Sequence, residues 1–263
     1  MQLHLADIFL GRLYCLAAWF CFTIGMFFIK RSRIDAVNMN VIRGLGDLAL
    51  MHVQAKATKK PTFVSWKHSN WALFRTIFGS VSIVAMALAS KLIKLSVYSV
   101  IGRLQTIVLT ILGIYFLGNK FDYRIILVVC VSLFGVSLVI APTLYGFPPG
   151  KHGDLSLDWT PAEIAGCLLC IVNLVSESFS FIILTKMSGL VGPAQSIYFL
   201  NLGICWSNSI LLSLSPRPFQ FYWEEVPLYL GCIFSYHLGQ IFYTESARKE
   251  KNVGIQGILQ SSV

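Results

Sequence analysis

Apolar runs of about 20 residues, the length an α-helix needs to cross the hydrocarbon core of a bilayer, recur along the whole chain. They cover 13–29, 34–53, 71–93, 95–117, 125–142, 160–184, 192–214 and 226–246, and a ninth run opens at 253. The pair within 95–142 is joined by a short polar turn at 119–124, which predicts a transmembrane helical hairpin. At 100° per residue, Tyr98, Ser99, Gly102, Thr106, Thr110 and Gly113 share a sector of roughly 140° with Arg103 near it. Val97, Val100, Leu104, Val108 and Ile111 fall on the opposite side. A helix with one lipid-like face and one small, polar face belongs in a bundle, its polar face turned inward.

The other runs carry their own marks. The second is interrupted by Arg43, Asp47 and His52. Arg43 and Asp47 stand one helical turn apart, so they are expected to neutralise each other on a common face, with a substrate contact as the sharper alternative. A basic loop at 54–70 follows. The third run has Ala85 and Ala89 as a small-residue contact and Arg75 in its first turns, where it is expected to snorkel to the interface. A loop at 143–160, rich in Pro, Gly and Asp, separates two halves. The sixth run starts on Thr160, Pro161 and Glu163, the pattern of a capping box. It then sets Gly166, Cys170, Asn173, Glu177 and Ser180 on one stripe. A lone carboxylate at the depth of Glu177 costs several kcal/mol unless paired, protonated or hydrated, which makes it a functional candidate. In the eighth run Gly231, Ser235 and Gly239 form a close-packing stripe, with His237 and Gln240 on another face.

Composition excludes the ordinary soluble classes. Hydrophobic residues make up 56% and charged residues 13%, against about 25% charged in a typical soluble domain. The net charge of +9 sits in short tracts between apolar runs, where positive-inside topology places it, and does not indicate nucleic acid. The seven cysteines all lie inside apolar runs, and the C-x-x-C of Cys167 and Cys170 reads as helix packing rather than a redox or metal motif. No H-E-x-x-H, G-x-S-x-G or G-x-x-x-x-G-K occurs, so neither an enzyme nor a cofactor is implied. The first run is too long, and too basic at its end, for a cleaved signal.

Shifting the chain by 155 positions lays runs one to four on runs six to nine. Gly102, Leu104, Gln105 and Val108 then meet Gly257, Leu259, Gln260 and Val263, while Ile258 stands where Arg103 would have a twin. A unit of five helices is odd, so its second copy enters the membrane in the opposite sense, which is the inverted repeat of secondary transporters. The expected units are 1–145 and 161–263, linked by 146–160. The balance of Lys and Arg between alternate loops favours a cytoplasmic N-terminus, with Lys30, Arg31 and Arg33 arguing the other way.

The basic pair Lys30 and Arg31 after the first run, the "IRG" at Arg43, the "FGVSLVIAP" ending at Pro142 and the passage "YTESARKEKNVGIQGILQSSV" together resemble the drug/metabolite transporter superfamily. The likeness is to EamA-type proteins of the solute carrier family 35 kind. It implies an all-α polytopic fold of ten helices in two inverted repeats, and alternating-access transport of small organic solutes. On that reading eight full helices and part of a ninth are present, and the chain is expected to be truncated. Asn119 replaces the glutamate many relatives have, and no proline lies near Gln105 or Thr106. The candidates for the solute pathway are Arg43, Asp47, Tyr98, Arg103, Gln105, Thr106, Asn173, Glu177, His237, Gln240 and Gln260. The expected partners are a small-molecule solute, such as a nucleotide sugar, amine or drug-like compound, and the lipid bilayer; a homodimer is left open. The alternative is a non-transporting membrane interaction protein or inactive remnant.

Overall fold

The computed structural model describes residues 2–59, 68–93, 97–98, 101–102, 104–118, 123, 127, 130–131, 134, 160–215 and 219–250. Among them are seven α-helices and no strand: α1 (Gln2–Arg31), α2 (Ala36–Thr58), α3 (Ser69–Leu92), α4 (Gln105–Leu117), α5 (Pro161–Met187), α6 (Pro193–Leu214) and α7 (Val226–Lys249). Among the described residues four stretches, Asp7–Arg31, Ser69–Ala89, Pro161–Met187 and Pro193–Leu214, are long and apolar enough to cross a bilayer. Their outer faces expose large apolar side chains, among them Phe20, Leu73, Leu168 and Trp206. In water such a surface would be an aggregation liability, whereas lipid tails solvate it at no cost.

α1 begins well before the expected 13, because the preceding residues are helix formers that continue the first turns. The hairpin differs more. Its first member is an uninterrupted α-helix only from Gln105, after a tighter turn in which Leu104 N–H bonds Ile101 O at 3.0 Å. Most of its second member, the loop at 143–159 and the ninth run lie outside the described residues. The Thr160–Glu163 capping box is present: Glu163 N–H bonds Thr160 Oγ1 at 3.3 Å, and Glu163 Oε2 accepts from Thr160 N–H at 3.0 Å. This satisfies donors that a helix start otherwise strands.

α1 packs along α7 and α3 along α5, and α2 and α6 lie between these pairs. Both ends of the α1–α7 seam are pinned by polar contacts. Arg12 and Lys249 reach Glu250 and Asp7 at 3.0 and 2.6 Å at one end. At the other, Glu225 accepts from Ser32 Oγ at 2.5 Å and from Arg33 N–H at 3.1 Å. We call the face holding the start of α1 proximal and the opposite face distal. Chain direction alternates, so α3 starts and α4, α5 and α7 end at the proximal face. Gly166 sits against Leu92 and Ile93, and Arg248 donates to Ser188 O at 3.3 Å.

Glycines let these helices approach at backbone distance. A Cβ on Gly25 would lie 2.5 Å from the Tyr236 ring, and one on Gly44 would lie 2.6 Å from Cys205 Sγ. Tyr236 cannot retreat, since Phe22 and the Arg43 guanidinium occupy its other sides. Gly25→Val is therefore expected to lower stability by about 1–3 kcal/mol through overpacking, read as a fall in the thermal midpoint of the detergent-purified protein. Gly189→Ala, with nothing within 4 Å of its Cβ, is the matched change expected to leave it unmoved.

Candidate functional site

The helix faces with small and polar residues converge on a cavity of about 600 Å³. One wall is aromatic. Trp19 and Phe22 of α1 and Tyr236 and Tyr243 of α7 line it, with Phe22 5.6 Å from Tyr236 and Trp19 6.5 Å from Tyr243 between ring centroids. The facing wall is polar. It is built from Arg75, Gly79, Ser82 and Met86 of α3, Gln105 and Thr106 of α4, and Cys170, Asn173, Glu177 and Ser180 of α5. Spacings of three and four put the α3 set and the α5 set each on one stripe of its helix. Phe27 and Lys30, exposed residues of α1 toward the distal face, complete the lining at that end.

Hydrogen bonds fix part of the polar wall. Ser82 Oγ donates to Asn173 Oδ1 at 2.8 Å, and Asn173 Nδ2 donates to the Tyr98 hydroxyl at 3.0 Å, tying α3, α5 and the approach to α4. Glu177 is half-buried on the cavity side, and the Gln105 side chain approaches its carboxyl. Gln240 and Asn201 exchange reciprocal amide bonds at 3.3 Å beside the cavity.

The charged side chains of α2 make no hydrogen bond to each other among the described residues. Arg43 is fully buried, and its guanidinium lies over the Tyr236 ring at 4.0 Å rather than on Asp47. None of its three nitrogens has a hydrogen-bond partner among the described residues. Asp47, also fully buried, faces His237 Nδ1 at 3.5 Å. It stands one helical turn from Arg43, where a carboxylate offsets the guanidinium charge through space. α7 offers a ring to one and an imidazole to the other.

Arg75 corrects the sequence reading. Instead of snorkelling it is 2% exposed and lines the cavity, with Nε and Nη1 unpartnered among the described residues. Distance from a helix end cannot distinguish an arginine turned to the interface from one turned inward. The stripe of Arg75, Gly79, Ser82 and Met86 could have done so, because three of its members are small or polar enough to face a cavity. Of the other candidates, Arg43, Tyr98, Gln105, Thr106, Asn173, Glu177 and Gln240 line the cavity. Asp47 and His237 are behind its wall. Arg103 and Gln260 lie outside the described residues. The aromatic wall carries no mark in the sequence, since aromatic residues in an apolar run look like ordinary packing, and Lys30 stands out there only as part of the basic pair after the first run. None of the seven cysteines forms a disulfide, and no cluster of His, Cys, Asp or Glu fit for a metal occurs, among the described residues.

Helices long and apolar enough to span, around a cavity with one polar wall, define a multi-pass integral membrane protein. The EamA-like transporter family model matches residues 9–141. The chain belongs to the EamA-like transporter family, a family of membrane transporters rather than enzymes. A protein solved by crystallography is similar in fold, with a TM-score of 0.75 at 12% identity over 98% of this chain and 84% of that chain. A comparison with curated proteins found no match.

Asp47 is the acidic residue coupled to both Arg43 and His237. Asp47→Asn leaves a fully buried guanidinium without its compensating charge and is expected to cost about 3 kcal/mol. The thermal midpoint of the purified variant measures this; an unchanged midpoint would mean that Arg43 is balanced elsewhere.

Proposed function

We propose that the chain moves small polar organic metabolites across a membrane by alternating access, the central cavity being the solute site. The single observation that carries this reading is the cavity itself: its polar wall is lined by side chains from three helices, α3, α4 and α5, Asn173 and Glu177 among them. Such groups are costly in a bilayer and persist where they meet a solute or water.

The mechanism rests on two inverted repeats, 1–145 and 161–263, joined by 146–160. The packing of the first helix of each unit on the third helix of the other supports it. Gly11 of α1 sits against Lys249 and Glu250, and Gly166 of α5 against Leu92 and Ile93. Further along, Gly25 meets Tyr236, while a Cβ on Gly79 would lie 3.2 Å from Ser180 Oγ. Gly11 to Gly166 and Gly25 to Ser180 are both shifts of 155, and Leu92 to Lys249 and Gly79 to Tyr236 are both shifts of 157. The same two shifts hold at both ends of the seams, which supports a pseudo-two-fold axis in the membrane plane. Rocking one unit against the other would exchange which seam is closed. The exposed lining residues lie toward the distal face and the buried ones deeper, so this conformation accepts solute from the distal side. With a cytoplasmic N-terminus, that side is the lumen or exterior. The solute carrier family 35 branch is the one whose motifs the chain resembles.

Proteoliposomes holding the purified full chain, offered radiolabelled organic acids, amines and sugars, test the reading. Saturable uptake of at least one class is expected, reduced about ten-fold or more by Asn173→Leu, which removes two wall hydrogen bonds and fills polar space. Lys186→Gln, outside the cavity, should leave it unchanged. Absence of uptake for every class, or full uptake by the Asn173 variant, would overturn it.

A further inference from the structure

The donors and acceptors on the cavity wall are out of balance. Five N–H-bearing atoms of Arg43 and Arg75, together with Trp19 Nε1, are buried without an acceptor among the described residues. All three side chains line the cavity. Charge leans the same way: Lys30, Arg43 and Arg75 line it against the single described carboxylate, Glu177. Arg43 has Asp47 behind it to offset its charge, but no carboxylate pairs with Arg75 among the described residues. A guanidinium presents a planar fork of N–H groups that matches the oxygens of a carboxylate or phosphate, and buried charged donors are costly until they meet such an acceptor.

The three cations are also ordered along the path. Lys30 stands at the distal end, Arg43 in the first third of α2 below it, and Arg75 in the first third of α3. α3 runs opposite to α2, so Arg75 is near the proximal floor. Between mouth and floor stands the wall of Trp19, Phe22, Tyr236 and Tyr243, a surface suited to a planar ring.

Resting on the transport reading above, we propose that the solute is an organic anion: a carboxylate or phosphate seated on Arg75 at the cavity floor, with a planar body against the aromatic wall. Lys30 and Arg43 attract the anion at entry, and Glu177 accepts hydrogen bonds from hydroxyl or amide groups on the same molecule. An amine, by contrast, would have Glu177 as its anchor and two unmet arginines as neighbours.

The test reads binding rather than flux, using the full chain in detergent and four probes on one ring: benzoate, phenyl phosphate, benzamide and benzylamine. Thermal shift at millimolar probe, a range suited to ligands of this size, gives the affinities. At least one of the two anions is expected to stabilise the protein saturably, with the neutral amide and the amine at least ten-fold weaker; which anion wins identifies the acidic group. Arg75→Gln should weaken the preferred anion ten-fold or more, Arg75→Lys should retain part of its binding, and Lys186→Gln should change nothing. If Arg75→Gln does not fold, Arg75→Lys decides, since a lysine keeps the charge but loses the fork and must weaken the anion measurably. Four results overturn the proposal: no response to either anion, an equal response to benzamide, anion binding untouched by the Arg75 variants, or a preference for benzylamine that Glu177→Gln abolishes. Anion binding without any uptake in proteoliposomes would sink the transport reading and leave this one standing; uptake of amines without anion binding would do the reverse.

Discussion

Everything in this fold answers to the cost of burying charge where water is absent. Arg43, Asp47 and Arg75 are each 2% exposed or less inside a helix bundle whose outer surface is apolar. An ion moved from water to a low-dielectric interior loses solvation worth several kcal/mol even after relaxation. The protein meets that cost by different means at different places. An aromatic face and a carboxylate offset Arg43, an imidazole faces Asp47, and a cavity receives Arg75. The last arrangement leaves donors unmet within the protein, which is why the site and its selectivity follow from Arg75 more than from any other residue.

Close helix approach makes this placement possible. Gly25 brings α1 onto Tyr236, which holds the ring against Arg43. Gly44 brings α2 onto α6 at Cys205, which keeps Arg43 and Asp47 inside the bundle. Small residues of this kind serve packing in membranes, where no hydrophobic driving force draws helices together. Here they also set where the charges sit. The polar pins at either end of the α1–α7 seam, Arg12 with Glu250 and Glu225 with Ser32 and Arg33, hold its register.

Sequence periodicity made much of the polar wall legible. The stripe of Gly166, Cys170, Asn173, Glu177 and Ser180 and, on α4, Thr106 and Gly113 follow from 100° per residue, and those positions are buried or half-buried as expected. The Thr160 to Glu163 cap was legible because its chemistry is local. What could not be read was the rotation of one helix against another. Arg43 and Asp47 sit one turn apart, yet which of them meets Tyr236 and which His237 is decided by α7, distant in sequence. Arg75 was misplaced for the same reason, and the aromatic wall escaped notice because tyrosine and tryptophan in apolar runs carry no mark of a cavity.

The central claim is that one cavity serves both faces of the membrane in turn. Labelling of a single cysteine at Ser180, a cavity residue, tests it most directly, in a chain whose seven native cysteines have been replaced. A membrane-impermeant thiol reagent applied from each face in turn should modify Ser180→Cys from both, with saturating solute protecting it from either side. Modification from one face alone, or from neither, would contradict alternating access and leave the cavity a one-sided binding pocket.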